Sequence, residues 1–165
     1  MWVAGPSDLA AVSQLLSEFR DWWQRSDPSD GSLRRTVAAL LADPATEFLL
    51  AAAQEGAGPI GVCQLRYRMS VWTGAQDCWL EDLYVRERER RHGHGRALVE
   101  AALERAGTRG CRRIELDVQE DNAEALAFYT SLGFLTEPKG AARSLLLGMG
   151  LADVRKLRRD PTGHA

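Results

Sequence analysis

Trp79-Leu-Glu-Asp-Leu-Tyr-Val85, followed by Arg90-Arg-His-Gly-His-Gly-Arg96, is the stretch from which the fold can be read. The first part reads as a strand. The second is rich in Gly and Arg and opens a run in which Leu98, Ala101, Ala102 and Leu103 fall on or near one helical face. A strand that feeds a glycine loop, which in turn opens a helix, makes a ready anion site. The helix N-terminus offers backbone N–H groups without intrahelical acceptors and the positive end of the helix dipole. Gly93 and Gly95 allow phosphate oxygens to approach the backbone with no Cβ in the way.

Working outward, the loop's helix is expected over residues 94–106, with Gly107 just past its end. Upstream, Glu47 to Ala53 and Ile60 to Met69 read as strands joined through Glu55-Gly-Ala-Gly-Pro59, which predicts a hairpin. Ser70 to Asp77 is expected as a loop and Cys78 to Val85 as the third long strand. Two helices precede these strands. Ser7 is placed to cap the first, whose Leu9, Val12, Leu15, Leu16, Phe19 and Trp23 recur at helical spacing until Asp27-Pro28-Ser29-Asp30-Gly31. The second carries Leu33, Val37, Leu40 and Leu41 on one face and stops at Asp43-Pro44. Downstream, Arg113 to Val118 alternates as a strand, Asp121 or Asn122 caps a helix through Leu132, and Gly133 closes it. Phe134 is expected to start a short strand and Ser144 to Met149 to form the last one. The order is β-α-α-β-β-β-α-β-α-β-β, an α/β (α+β) mixed sheet with helices on both faces. Residues 1–150 are expected to form a single domain, with 151–165 as a basic tail.

The 165 residues, 45% hydrophobic and 27% charged, suit a globular domain with a substantial core. A net charge of −2 supplies no field for nucleic acid or an anionic membrane, so neither is expected as a partner. The start, Met1-Trp-Val-Ala-Gly-Pro6, lacks a signal-peptide pattern and no long apolar run follows, so the protein is expected to be soluble and cytoplasmic. Cys63, Cys78 and Cys111 contain no C-x-x-C pair and read as small buried hydrophobes. His92 and His94 lack a third ligand nearby, so no metal is expected.

Three phosphate-binding patterns compete at the glycine loop. A P-loop needs Gly-x-x-x-x-Gly-Lys-Ser/Thr, which the chain does not contain. A dinucleotide fingerprint needs a third glycine or alanine where Leu98 stands. Arg90-x-x-Gly93-x-Gly95 instead resembles the pyrophosphate signature of the GNAT superfamily of N-acetyltransferases. Two further stretches carry the same resemblance. Trp79 to Val85 is similar to the corresponding strand of diamine acetyltransferases, in a style shared with the aminoglycoside-type small-molecule enzymes. Asn122-Ala-Glu-Ala-Leu-Ala-Phe-Tyr129, ending in Gly133-Phe134, resembles the family's second motif.

The resemblance implies a mostly antiparallel sheet of six to seven strands flanked by about four helices. It also implies acetyl-coenzyme A as co-substrate. By the same carry-over, backbone groups of Arg91, His92, Gly93, His94, Gly95 and Arg96 hold the pyrophosphate. Arg90, Arg91 and Arg96 add charge-assisted contacts. Main-chain groups of Leu83, Tyr84 and Val85, with Asn122, meet the pantetheine arm. Tyr129 protonates the leaving sulfur, and the chain forms a homodimer.

Transfer to an amine requires the neutral amine, whereas an alkylammonium has a pKa of about 10.4, so a carboxylate in reach serves as base. Strand alternation puts Glu81 with Trp79, Leu83 and Val85, and Asp82 with Leu80 and Tyr84. Glu81 is favoured as base and amine ligand, with Asp82 as the other choice. Trp22 and Trp72 are candidates for the acceptor pocket, where an aromatic face can hold a cation and Asp21, Asp27 and Asp30 add attraction. The expected reaction is direct transfer of an acetyl group to a primary amine on a small molecule or peptide. The competing expectations are an acyl-coenzyme A-binding regulatory module without turnover and a protein N-acetyltransferase.

Overall fold

The computed structural model of the chain describes residues 1–135. The chain divides into two compact units, Met1–Ala123 and a second that begins at Glu124. In the first unit, a five-stranded sheet has the order β1 (Trp2–Val3), β2 (Thr46–Ala52), β3 (Pro59–Ser70), β4 (Ala75–Val85) and β5 (Ile114–Glu115). All pairings are antiparallel except β4 with β5. The helices are α1 (Leu9–Trp22), α2 (Asp30–Ala42), α3 (His94–Thr108) and α4 (Ala123–Ser131).

Alternation along the strands assigns the two faces. Phe48, Leu50, Val62 and Tyr84 form one core cluster with Val12 and Leu15 of α1 and Leu33 and Val37 of α2. Each such side chain contributes about 1.5–3 kcal/mol on full burial. Residues of opposite parity face α3: Glu47 bonds to Arg105, and Gly61 lies against Leu98. Leu98, Val99, Ala102 and Ala106 are the buried positions of α3, while Leu103, expected inward or near it, is 39% exposed.

The mixed α/β class and the four helices match expectation, and several boundaries differ. Ser7 does not cap α1. It lies in the short 3-10 turn Pro6–Asp8, where the Asp8 carboxylate accepts from the Gly5 N–H at 2.9 Å. The end of α1 comes at Trp22, well before Asp27. Gln24 takes a left-handed φ of 53°, and the Gln24 and Arg25 N–H groups close on the Asp21 and Arg20 carbonyls. A polar residue does here what glycine usually does. Asp30 and Gly31 belong to the first turn of α2, which Ser29 caps through a 3.4 Å bond from the Ser32 N–H. β4 starts at Ala75, so the loop expected from Ser70 to Asp77 shrinks to residues 71–74. Helix α3 continues through Gly107 to Thr108, and the left-handed glycine that follows is Gly110 at φ 71°.

The largest difference is β5, which has two residues where Arg113 to Val118 predicted six. The sheet therefore has five strands among the described residues, against six to seven expected. Phe134 and Leu135 lie in no strand, and the expected strand at 144–149 and the basic tail fall outside the described residues. Among the described residues, no helix is long and apolar enough to cross a membrane.

Candidate active site

The site begins at an irregularity in β4. Gln64 pairs with Asp82 and Leu65 with Leu80, so Glu81 has no counterpart on β3 and forms a bulge. A bulge bends its strand and raises its twist. On the other edge, pairing with β5 covers only Cys78–Ile114 and Trp79–Glu115, and it stops just before the bulge. From Leu80 to Val85 the outer edge of β4 is therefore not laddered to β5. Leu83 and Tyr84 lie in this opened stretch, and Val85 ends it with its carbonyl taken by the Arg90 Nε at 3.0 Å.

The bulge also breaks the alternation that grouped Glu81 with Leu83 and Val85. Glu81 is exposed, whereas Asp82 is half-buried and lies opposite the buried Gln64. Burial, with the like charges of Glu81 and Asp117, pushes the Asp82 carboxyl up to about 6. Two adjacent carboxylates thus stand in different environments.

Past β4, the chain makes a 3-10 turn over Glu87–Glu89 and reaches the glycine loop. Arg91 takes a φ of 65° and Gly93 one of 86°, the latter as the residue that caps α3. Gly93 at the cap position has no side chain to cap the helix, whose first bond is Ala97 N–H to the Gly93 carbonyl at 3.0 Å. The main-chain N–H groups of His94, Gly95 and Arg96 precede that bond, in the first turn where donors point out of the helix end. A Cβ built on Gly93 would meet nothing within 4 Å among the described residues, so the backbone borders open space there. Outward-pointing first-turn donors, an open approach and a positive dipole end fit a pyrophosphate. The His92 and His94 rings stand 6.3 Å apart, and among the described residues no three His, Cys, Asp or Glu gather as metal ligands.

Arg90 is drawn away from this opening. Besides the Val85 carbonyl, its guanidinium meets the Trp22 ring at 4.8 Å and the Tyr84 ring at 6.0 Å. Trp22 is thereby brought beside the loop with a cation of the protein's own over its ring. Trp72 is not brought there: it sits 94% exposed on the 71–74 turn, at the opposite end of β4. Ala75 and Glu81 are six residue steps apart along the strand, about 20 Å at the usual rise per residue. Of the three acids near the first helix turn, Asp21 and Asp30 both bind Arg20, at 2.6 and 2.8 Å.

Asn122 immediately precedes α4, its N–H donating to the Gln119 carbonyl at 2.9 Å. In the second unit, Gly133 takes a φ of 91°, and the Phe134 and Gly133 N–H groups donate to the Tyr129 and Thr130 carbonyls. This is the Schellman ending that a Gly-Phe pair permits. It sets the Phe134 ring edge-on to Tyr129 at 5.6 Å, with Phe128 on another side at 5.0 Å. Tyr129 is half-buried between these rings.

Sequence reasoning missed Gly61. A Cβ there would lie 3.0 Å from the Tyr84 carbonyl oxygen, 3.1 Å from Val85 and 3.2 Å from Leu98. Its absence lets α3 approach the end of β4. The available signal was a glycine inside the strand pattern Ile60-Gly-Val62, which marks close backbone approach. Arg86 was missed as well: it makes a two-pronged ion pair with Glu18 of α1, both bonds at 2.8 Å.

Known proteins resemble the chain over most of its length. Residues 10–134 match the model of the acetyltransferase (GNAT) family. A thialysine N-epsilon-acetyltransferase of Sus scrofa is 29% identical over 150 residues, covering 83% of this chain and 85% of the relative. An uncharacterised N-acetyltransferase of Bacillus subtilis is 28% identical over 131 residues, 79% of this chain and 86% of its own. A solved structure of a candidate acetyltransferase from Arthrobacter sp. FB24 superposes with a TM-score of 0.81 at 31% identity, covering 91% of this chain and 94% of that one. With the matched region running from α1 through the loop of α3 to the Gly-Phe ending of α4, the chain belongs to the acetyltransferase (GNAT) family and is an N-acetyltransferase.

Proposed function

We propose that this enzyme transfers an acetyl group from acetyl-coenzyme A to a primary amine on a small molecule, by direct transfer within a ternary complex. The observation that carries the proposal is the junction of β4 with α3. A helix N-terminus behind a left-handed glycine follows on a strand edge that β5 leaves unladdered beyond Trp79. Acetyl-coenzyme A supplies the activated acetyl thioester. The main-chain N–H groups of His94, Gly95 and Arg96 hold its pyrophosphate, with charge from Arg91 and Arg96. Main-chain groups of Leu83 and Tyr84, with Asn122, take the pantetheine arm, and a donor from this edge faces the charge that develops on the carbonyl oxygen. Glu81 and Asp82 receive the ammonium group and remove its proton. Tyr129 returns a proton to the departing sulfur. The relatives named for thialysine favour an amine at the end of a short aliphatic chain.

Calorimetric titration of acetyl-coenzyme A into the protein tests this first. Binding in the micromolar range, about −8 kcal/mol, followed by thiol release with one or more members of a diamine and amino-acid panel, is expected. Binding without thiol release from any amine or peptide would make the chain a regulatory acyl-coenzyme A sensor. Thiol release only with peptide N-termini would move the acceptor from small molecules to proteins.

A further inference from the structure

We infer that Arg90 is a positioning residue, one half of a two-point clasp that fastens the glycine loop to α1, and not a ligand of the cofactor phosphates. Two residues of α1, Glu18 and Trp22, stand four apart and so share one face of the helix. Two arginines with the same spacing, Arg86 and Arg90, flank the 3-10 turn that leads into the loop. The pairs match in order. Arg86 grips the Glu18 carboxylate through Nε and a terminal nitrogen, both at 2.8 Å. Arg90 lays its guanidinium over the Trp22 ring at 4.8 Å while its Nε holds the Val85 carbonyl at 3.0 Å. A planar guanidinium that stacks and donates in its own plane uses both of its binding modes at once.

The receiving surface is itself braced. Trp22 stacks near Phe19 at 6.3 Å and meets Trp23 edge-on at 5.2 Å, and Phe19 stacks on Tyr84 at 5.3 Å. Tyr84 sits in the sheet, so the clasp joins the last turn of α1, the end of β4 and the start of the glycine loop into one rigid piece. The functional consequence is coupling: the helix beside the acceptor side sets the loop that holds the cofactor. This consequence rests on the loop being the acetyl-coenzyme A site, whereas the clasp itself does not.

The test compares Arg90→Ala, Trp22→Ala, Trp22→Phe and the double alanine variant by acetyl-coenzyme A calorimetry and by amide hydrogen exchange over residues 86–98 of the free protein. Trp22→Ala and Arg90→Ala are expected to weaken binding to a similar extent, about five- to tenfold. The double variant should bind no worse than Arg90→Ala, and Trp22→Phe, which keeps an aromatic face, should bind nearly as the parent does. Exchange over residues 86–98 should accelerate in both alanine variants and not in Trp22→Phe. Unchanged affinity in Trp22→Ala beside a loss in Arg90→Ala would make Arg90 a phosphate ligand and overturn the clasp. If the parent protein binds no acetyl-coenzyme A, the cofactor reading fails, and the exchange measurement still decides the clasp: unaltered exchange in both alanine variants overturns it.

Discussion

At the scale of single residues, the proton has two carboxylates to choose between, and burial separates them. Asp82 is half-buried and titrates near 6, while its neighbour Glu81 stands exposed on the bulge. A base whose pKa has been raised fills its proton-accepting form as pH rises through that value, so kcat/KM for the amine should climb with a limb near pH 6. Asp82→Asn is expected to abolish that limb and lower kcat about 100-fold or more. Glu81→Gln should chiefly raise the KM for the amine and, by removing a like charge beside Asp82, move the limb to lower pH. A pH–rate series on the two variants decides it: a limb that survives in Asp82→Asn and vanishes in Glu81→Gln returns the proton to Glu81. In the proposed transfer, Tyr129 acts at the other end of the reaction. Tyr129→Phe keeps the ring that Phe128 and Phe134 pack against, so cofactor affinity should hold while turnover falls about 10- to 1000-fold. Turnover equal to the parent's would remove the hydroxyl from the mechanism.

At the scale of elements, α3 is placed as closely by an absent side chain as by those it buries. Gly61→Ala would put a methyl group 3.0 Å from a backbone oxygen of β4 and 3.2 Å from Leu98. The Tyr84 carbonyl, Val85 and Leu98 must each give by a few tenths of an ångström, at a cost of about 1–3 kcal/mol, and movement of Leu98 is expected to pass to α3 and the loop at its N-terminus. A lower melting temperature together with a raised KM for acetyl-coenzyme A is expected. Loss of stability with KM unchanged would show that the loop is set independently of the sheet. Long periodic elements were legible because their signal is repeated: α1, α2, the β2–β3 hairpin and α3 follow from spacing alone. The helix end at Gly133 was legible too, since glycine just past a helix has a backbone reason, whereas the left-handed turn at Gly93 was not read. The bulge at Glu81 was not legible, because a bulge is a property of two strands and their register, which Trp79 to Val85 alone does not carry. The shortness of β5 was hidden for the same reason: its residues favour a strand, but their partner bends away. Arg90 was hidden by its motif, since a basic residue before a phosphate loop invites the phosphate reading, and Trp22 and Val85 become its partners only in the fold.

At the scale of the first unit, the two ends of α3 are secured by different chemistry, and the end far from the site carries the charge. Glu47 of β2 is 7% exposed, and its carboxylate accepts from Arg105 at 2.6 and 2.9 Å, from Arg109 at 3.0 Å and from the Tyr67 hydroxyl at 3.0 Å. Arg109 also lies 4.1 Å above the Tyr67 ring and donates to the Pro44 carbonyl at 2.9 Å. One acid therefore gathers β2, β3, the turn before β2 and the last residues of α3. Burial alone would raise the Glu47 pKa, but the bonds from Arg105 and Tyr67 and the charges of both arginines outweigh it and hold it below the usual value of 4.5. The sign of the linkage follows. A depressed carboxylate contributes stability that is fully present above its unfolded pKa and is lost as pH falls through the folded one. The unit should thus keep this contribution at neutral pH and shed it below about pH 4.5. Glu47→Gln keeps the shape and removes the charge. It leaves two arginines that are 36% and 27% exposed, so solvent relieves part of the loss and the expected cost at pH 7 is about 1–3 kcal/mol. The difference between parent and variant should narrow as pH drops below 4.5, because the parent loses the same charge there. Chemical denaturation at pH 7 and pH 4 measures both numbers, and a difference that does not narrow at pH 4 would mean that Glu47 holds α3 by shape and not by charge.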